Sequence, residues 1–94
     1  MSKYEALYIL DTELDEESRN AVIEKLKGVV ESSGEIESIE EWGTRKLAYL
    51  INKKSEGYYV KMNFSASPDV PKELARIFRI TESVLRYLII KEDE

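Results

Sequence analysis

Between residues 58 and 78 the hydrophobic period of the chain changes once. "YYVKMNFSA" alternates Tyr58, Val60, Met62 and Phe64 with Tyr59, Lys61 and Asn63, the period-two pattern of a strand with one buried face. "SPDVPKELARIFRI" then sets Val70, Leu74, Ile77 and Phe78 on one stripe of a helix. Ser67 or Asp69 is its candidate cap, and Pro68 and Pro71 are tolerated in a first turn. A half-buried strand followed at once by a helix with one apolar face constrains the chain to a sheet covered on one side.

The remaining segments extend the pattern. "KYEALYILD", residues 3–11, is a short aromatic and aliphatic run that reads as a strand. In "LDEESRNAVIEKLKGVVESSG", Asp15 is the cap, acids fill the first turn, Val22, Leu26, Val29 and Val30 recur at helical spacing, and Gly34 is the expected stop. Residues 36–52 form a long strand with a bulge or kink expected at Gly43. "KKSEG" supplies turn chemistry before the alternating strand, and residues 83–91 close the chain with another strand. The order β-α-β-β-α-β folds most economically as an α+β, ferredoxin-like domain. Its four-stranded antiparallel sheet has the order 4-1-3-2, with two helices on one face. One domain spans 1–94, with 92–94 as a frayed tail. The last strand runs antiparallel to the first, so Lys3, Lys91 and a mid-strand Arg86 are expected to share one edge region.

Composition narrows the function. A 94-residue chain has little room for an enclosed catalytic cavity. With no Cys and no His, thiol chemistry, disulfides, Ser-His-Asp catalysis and imidazole or thiolate zinc sites are excluded. No calcium-loop pattern occurs; the acids of "DTELDEE" are helix-start charge. The expectation is a non-enzyme with no cofactor, metal or small-molecule substrate. No apolar run approaches a membrane span and no signal peptide opens the chain, so no membrane role and a cytoplasmic location are expected.

Two features exceed what folding needs. The net charge of −5 hides eleven acids against three bases over residues 11–41, while residues 44–61 carry five Lys/Arg against one Glu. Taken as one extended run, Arg45 to Lys54 would span roughly 30 Å, a length suited to a phosphate backbone. The interleaved Trp42, Tyr49, Tyr58 and Tyr59 are read as packing rather than base contacts. The second surplus is apolar. If Ala6, Tyr8 and Leu10 face the helices, Leu7 and Ile9 face away; likewise Leu88 and Ile90 oppose Tyr87 and Ile89. Such an open apolar face marks a protein contact.

"GTRKLAYLIN", Gly43 to Asn52, resembles the hallmark of the bacterial ribosomal protein family numbered six in the small subunit. "KYE", "GYY", "ELARIFRI" and "LRYLIIK" stand where that family has its own versions. The resemblance implies a non-enzymatic component of the ribosome, paired with small-subunit ribosomal protein number eighteen and bound to the central domain of small-subunit ribosomal RNA. It implies that Lys3, Arg45, Lys46, Arg86 and Lys91 approach phosphates. Lys53 and Lys54, at a hairpin tip where the family varies, are further RNA-binding candidates. Leu7, Ile9, Leu88 and Ile90 would take the protein partner. Many relatives extend past the last strand, so no tail function is carried over to "KEDE".

Other readings of the same element order fit less well. In an RRM, "EGYYVK" would put Val60 in place of a stacking aromatic and Lys61 in place of a core aliphatic. An acylphosphatase-type hydrolase would need an anion-cradling loop where "DTELDEE" is acidic. A ferredoxin-like homodimeric regulatory or ligand-binding module would use the open apolar face symmetrically and ignore RNA.

Overall fold

Six elements form in the expected order: β1 (Ser2–Leu10), α1 (Glu16–Glu31), β2 (Gly34–Ile51), β3 (Lys54–Ala66), α2 (Asp69–Ile80) and β4 (Val84–Lys91). The structure is a computed structural model that describes residues 1–92. All neighbours in the sheet are antiparallel, and its order is β2-β3-β1-β4, the same as 4-1-3-2 read from the other edge. The sheet thus has two edges, the long β2 and the short β4.

Alternation decides what is buried. Tyr4, Ala6, Tyr8 and Leu10 of β1 and Val60, Met62, Phe64 and Ala66 of β3 form one buried face. Ile23, Leu26 and Val30 of α1 and Val70, Leu74, Ile77 and Phe78 of α2 close over it. Phe78 is central, with its ring centroid 5.1 Å from Tyr8 and 4.9 Å from Tyr87. Each such side chain contributes about 1.5–3 kcal/mol when removed from water, which makes this layer the main source of stability. Tyr8 is the exception in kind. It is fully buried, its hydroxyl has no hydrogen-bond partner among the described residues, and burial, followed by the nearby Glu41 charge, pushes its phenol up. An unpaired buried hydroxyl is costly. Tyr8→Phe, which keeps the ring, is therefore expected to raise stability by about 1 kcal/mol in urea unfolding.

Several boundaries differ from expectation for local reasons. Asp15 caps α1, accepting from the Ser18 N–H at 2.7 Å, and that bond holds its carboxyl below the usual range. The helix, however, ends at Glu31, with the Ser32 N–H bonding the Gly28 carbonyl. Gly34 is not the stop. It begins β2, where an added Cβ would lie 2.6 Å from the Ser65 carbonyl oxygen and 2.8 Å from Ala66 Cβ. The helical stripe also includes Ile23 in place of a fully buried Val22 or Val29. In α2 neither Ser67 nor Asp69 caps by its side chain; Pro68 holds the cap position, and the Val70 N–H bonds the Ser67 carbonyl. The hairpin turn falls at Asn52 and Lys53, overlapping only the first residue of "KKSEG", with φ of 50° and 66°. Two left-handed residues match the twist of the flanking strands. Gly57 is thereby left inside β3. Glu92, expected in the frayed tail, donates its N–H to the Lys3 carbonyl at 2.9 Å; residues 93 and 94 lie outside the described residues.

Candidate functional site

The face of the sheet away from the helices carries the apolar candidates Leu7, Ile9, Leu88 and Ile90, together with Arg86. It is not uniform, because β2 and β3 run past the end of β1 as a two-stranded arm. Gly43, at φ 85°, sits in a register irregularity of β2, a left-handed position that glycine adopts readily. Beyond it the arm curls back over the open face. Gly57 is buried, and a Cβ added there would overlap Ile9 Cγ2 and meet Leu47 Cδ2 at 3.4 Å. A shallow hollow between arm and sheet is lined by Ile9, Leu47, Ala48, Tyr49, Ile51, Tyr59 and Arg86.

This curl corrects two expectations. Ile9, read as part of the bare apolar face, is only 8% exposed, because the arm covers it. Leu88 at 55% and Ile90 at 45% remain exposed, with Leu7 half-buried beside them. Leu7 stands opposite Leu88 in the β1–β4 register. The apolar surface is thus an edge strip over β1 and β4.

Arg86 moves as well. Its register partner is Ile9, whereas Lys91 pairs with Tyr4, so about 16 Å of strand separates the two cations. Arg86 belongs instead with the arm. Its guanidinium lies 5.5 Å from the Tyr49 ring centroid. Across the same face Trp42 stacks on Tyr59, with centroids 6.1 Å apart and planes 9° apart, and the Arg45 guanidinium is 5.8 Å from the Trp42 centroid. The basic residues therefore fall into two groups along the sheet, Lys3 and Lys91 at one end but on opposite faces, and Arg45, Lys46, Lys53 and Arg86 around the arm. Because the chain reverses at Asn52 and Lys53, Arg45 to Ile51 covers about 20 Å, shorter than the extended-run expectation.

Lys54 differs from the other arm cations. Its ammonium lies 2.9 Å from Glu13 and 3.6 Å from Asp11, and the Glu13 carboxylate, with Asp11 adding to it, holds it above its ordinary range. The pair ties the base of the turn to the β1–α1 loop. Between the two basic groups runs a strip of ion pairs that the sequence pattern did not reveal. Lys61 reaches Glu5 at 3.4 Å and Glu40 at 3.8 Å, and Lys3 reaches Glu37 at 3.9 Å. Their signal was the register itself, since Lys61 pairs with both Leu7 and Glu40. On the helix side Arg19 lies 4.2 Å from the Tyr58 centroid, while the Tyr58 hydroxyl donates to Glu41 at 2.7 Å, a bond that raises the phenol. Among the described residues no cluster of acids could hold a metal, and no helix is long and apolar enough to cross a membrane.

Known proteins share this arrangement over its whole length. Residues 3–91 match the family model described as ribosomal protein S6. Small ribosomal subunit protein bS6 of Caldanaerobacter subterraneus subsp. tengcongensis is 58% identical over 95 residues, covering 100% of both chains. The protein of the same name from Alkaliphilus metalliredigens is 55% identical, again over 100% of each. The crystal structure of 30S ribosomal protein S6 from Thermotoga maritima superposes with a TM-score of 0.92 at 30% identity, covering 97% of this chain and 87% of that one. The element order and the sheet order agree with these matches, and the chain belongs to the ribosomal protein S6 family, a non-enzymatic family of the small ribosomal subunit.

Proposed function

We propose that the protein binds small-subunit ribosomal RNA together with small-subunit ribosomal protein number eighteen, using separate parts of the sheet and its arm. The observation that carries this reading is segregation. A strip of exposed apolar side chains, Leu88 and Ile90 with Leu7, lies over β1 and β4, while Arg45, Lys46, Lys53 and Arg86 gather around the arm. Apolar strips suit a protein; separated cations suit phosphates. Lys3, on the open face beside Glu37, and Lys91, on the helix side opposite Tyr4, are further cations at the far end of β1 and β4. Lys54, occupied by Glu13 and Asp11, contributes by placing the arm.

A chain of net charge −5 is repelled by RNA except where its cations face it. A basic partner seated beside the arm would complete the positive surface, so the pair binds RNA more tightly than this chain alone. Phosphate contacts release counterions and discriminate little between sequences. The test is capture of RNA and partner from lysate by wild type and by the Arg45→Glu/Lys46→Glu variant. The variant is expected to lose ribosomal RNA while keeping the protein partner, and the log–log salt slope of RNA binding by the purified pair should become shallower by about two. Unchanged recovery of RNA by the variant overturns the assignment.

A further inference from the structure

We propose that Tyr49 is a stacking platform for an unpaired base of the bound RNA, with Arg86 backing the ring from the sheet side. The inference rests on the RNA-binding reading above and names the group that the arm engages in addition to phosphates.

The other aromatic rings have their surfaces in use. Tyr4, Tyr8, Phe64 and Phe78 are at most 6% exposed. Tyr58 and Tyr87 are half-buried, and each hydroxyl is hydrogen-bonded, to Glu41 and Arg79. Trp42 is 40% exposed, but Tyr59 already stacks on one face of its ring and Arg45 lies near it. Tyr49 stands apart. It is 58% exposed, its hydroxyl has no hydrogen bond among the described residues, and the Arg86 guanidinium lies 5.5 Å from its ring centroid.

That combination is poor packing and good recognition. A ring kept for stability is buried, since an aromatic contributes through the area it removes from water. Here a cation lies against the ring and more than half of the side chain is left to solvent. Arg86 has no carboxylate partner among the described residues, so its charge remains available near the stack. Arg45 and Lys46 precede Tyr49 on the same strand and Lys53 follows in the turn, so cations flank the ring along the chain. A flat π-surface between cations fits a base with its own backbone phosphates on either side. The base must be unpaired, because a duplex does not offer the face of a base. Stacking tolerates any base, so the platform adds affinity without a sequence preference.

The test uses the full chain paired with its protein partner and a small-subunit ribosomal RNA fragment, with affinity measured across a salt series for Tyr49→Leu and Tyr49→Phe. Tyr49→Leu is expected to weaken RNA binding about tenfold with the salt slope unchanged. Tyr49→Phe, which retains the ring, should stay within about twofold of wild type, and both variants should keep the wild-type Tm. Wild-type affinity in Tyr49→Leu, alongside weakened binding by Arg45→Glu/Lys46→Glu, overturns the platform and leaves the RNA reading standing. Weaker pairing with the protein partner in the absence of RNA also overturns it and assigns the ring to that interface. If wild type itself fails to bind the RNA, the reading beneath the proposal falls and the platform falls with it.

Discussion

Gly57→Ala is expected to destabilise the fold by about 2 kcal/mol, a large effect for one methyl group. The added carbon has nowhere to go. It would overlap Ile9 Cγ2 and press on Leu47, the two apolar side chains that seat the arm against β1. Relief requires either a shift of Ile9, whose neighbours on the other face of β1 are fully buried, or a lift of the arm from the sheet. The arm is the weaker element. Urea unfolding of the single and double variants with Ile9→Ala tests the geometry, because removing Cγ2 deletes the atom that the new methyl meets. The two changes should be less than additive by at least about 1 kcal/mol, whereas simple additivity would show that the arm is not seated at this point. A lifted arm also displaces Arg45 and Tyr49, so Gly57→Ala should weaken RNA binding without altering any charge.

The second large effect concerns the apolar strip. Leu88→Glu combined with Ile90→Glu is expected to weaken pairing with the protein partner at least about a hundredfold, since two carboxylates would be buried unpaired in the contact. Stability should move little, within about 1 kcal/mol for the pair, because both side chains are exposed at 55% and 45%. Titration calorimetry with the purified partner measures the first quantity and thermal unfolding the second. Retained pairing would remove the strip from the interface. The acidic variant also distinguishes the two basic groups, because RNA held by the arm alone should survive loss of the partner only at low salt.

The layers of the fold were legible because each element follows one period. The β1 and β3 alternation and the α2 stripe predicted the buried residues Tyr8, Val60, Met62, Phe64, Leu74 and Phe78 directly. What periodicity could not carry was any feature arising between elements. Gly34 and Gly57 stand in the sequence like a helix stop and a turn residue, yet both are close-approach positions whose neighbours, Ser65 and Ile9, are distant in the chain. Likewise the turn at Asn52 and Lys53 contains no glycine, so composition pointed a few residues too late. The candidate surface was legible in kind but not in arrangement. Alternation placed Ile9 and Leu88 on one face without revealing that the arm would cover the first and spare the second. Arg86 could be placed on β4, but its association with Tyr49 depends on the curl after Gly43. The ion pairs of Lys61 and Lys54 needed register and loop geometry, and these leave fewer free cations than the five bases of residues 44–61 suggest.

The acidity of β2 has a consequence apart from RNA. This strand is 18 residues long and forms one edge of the sheet, which leaves a row of backbone groups able to template pairing with another chain. Glu35, Glu37, Glu40 and Glu41 are exposed along it, and its ladder is interrupted after Ile36 and again after Glu41. Two copies pairing through residues 35–41 would set like charges opposite one another, and the interruptions deny them a continuous ladder. The acids thereby disfavour edge-to-edge association through this half of β2, and neutralising them should make the free protein aggregate before it loses its fold.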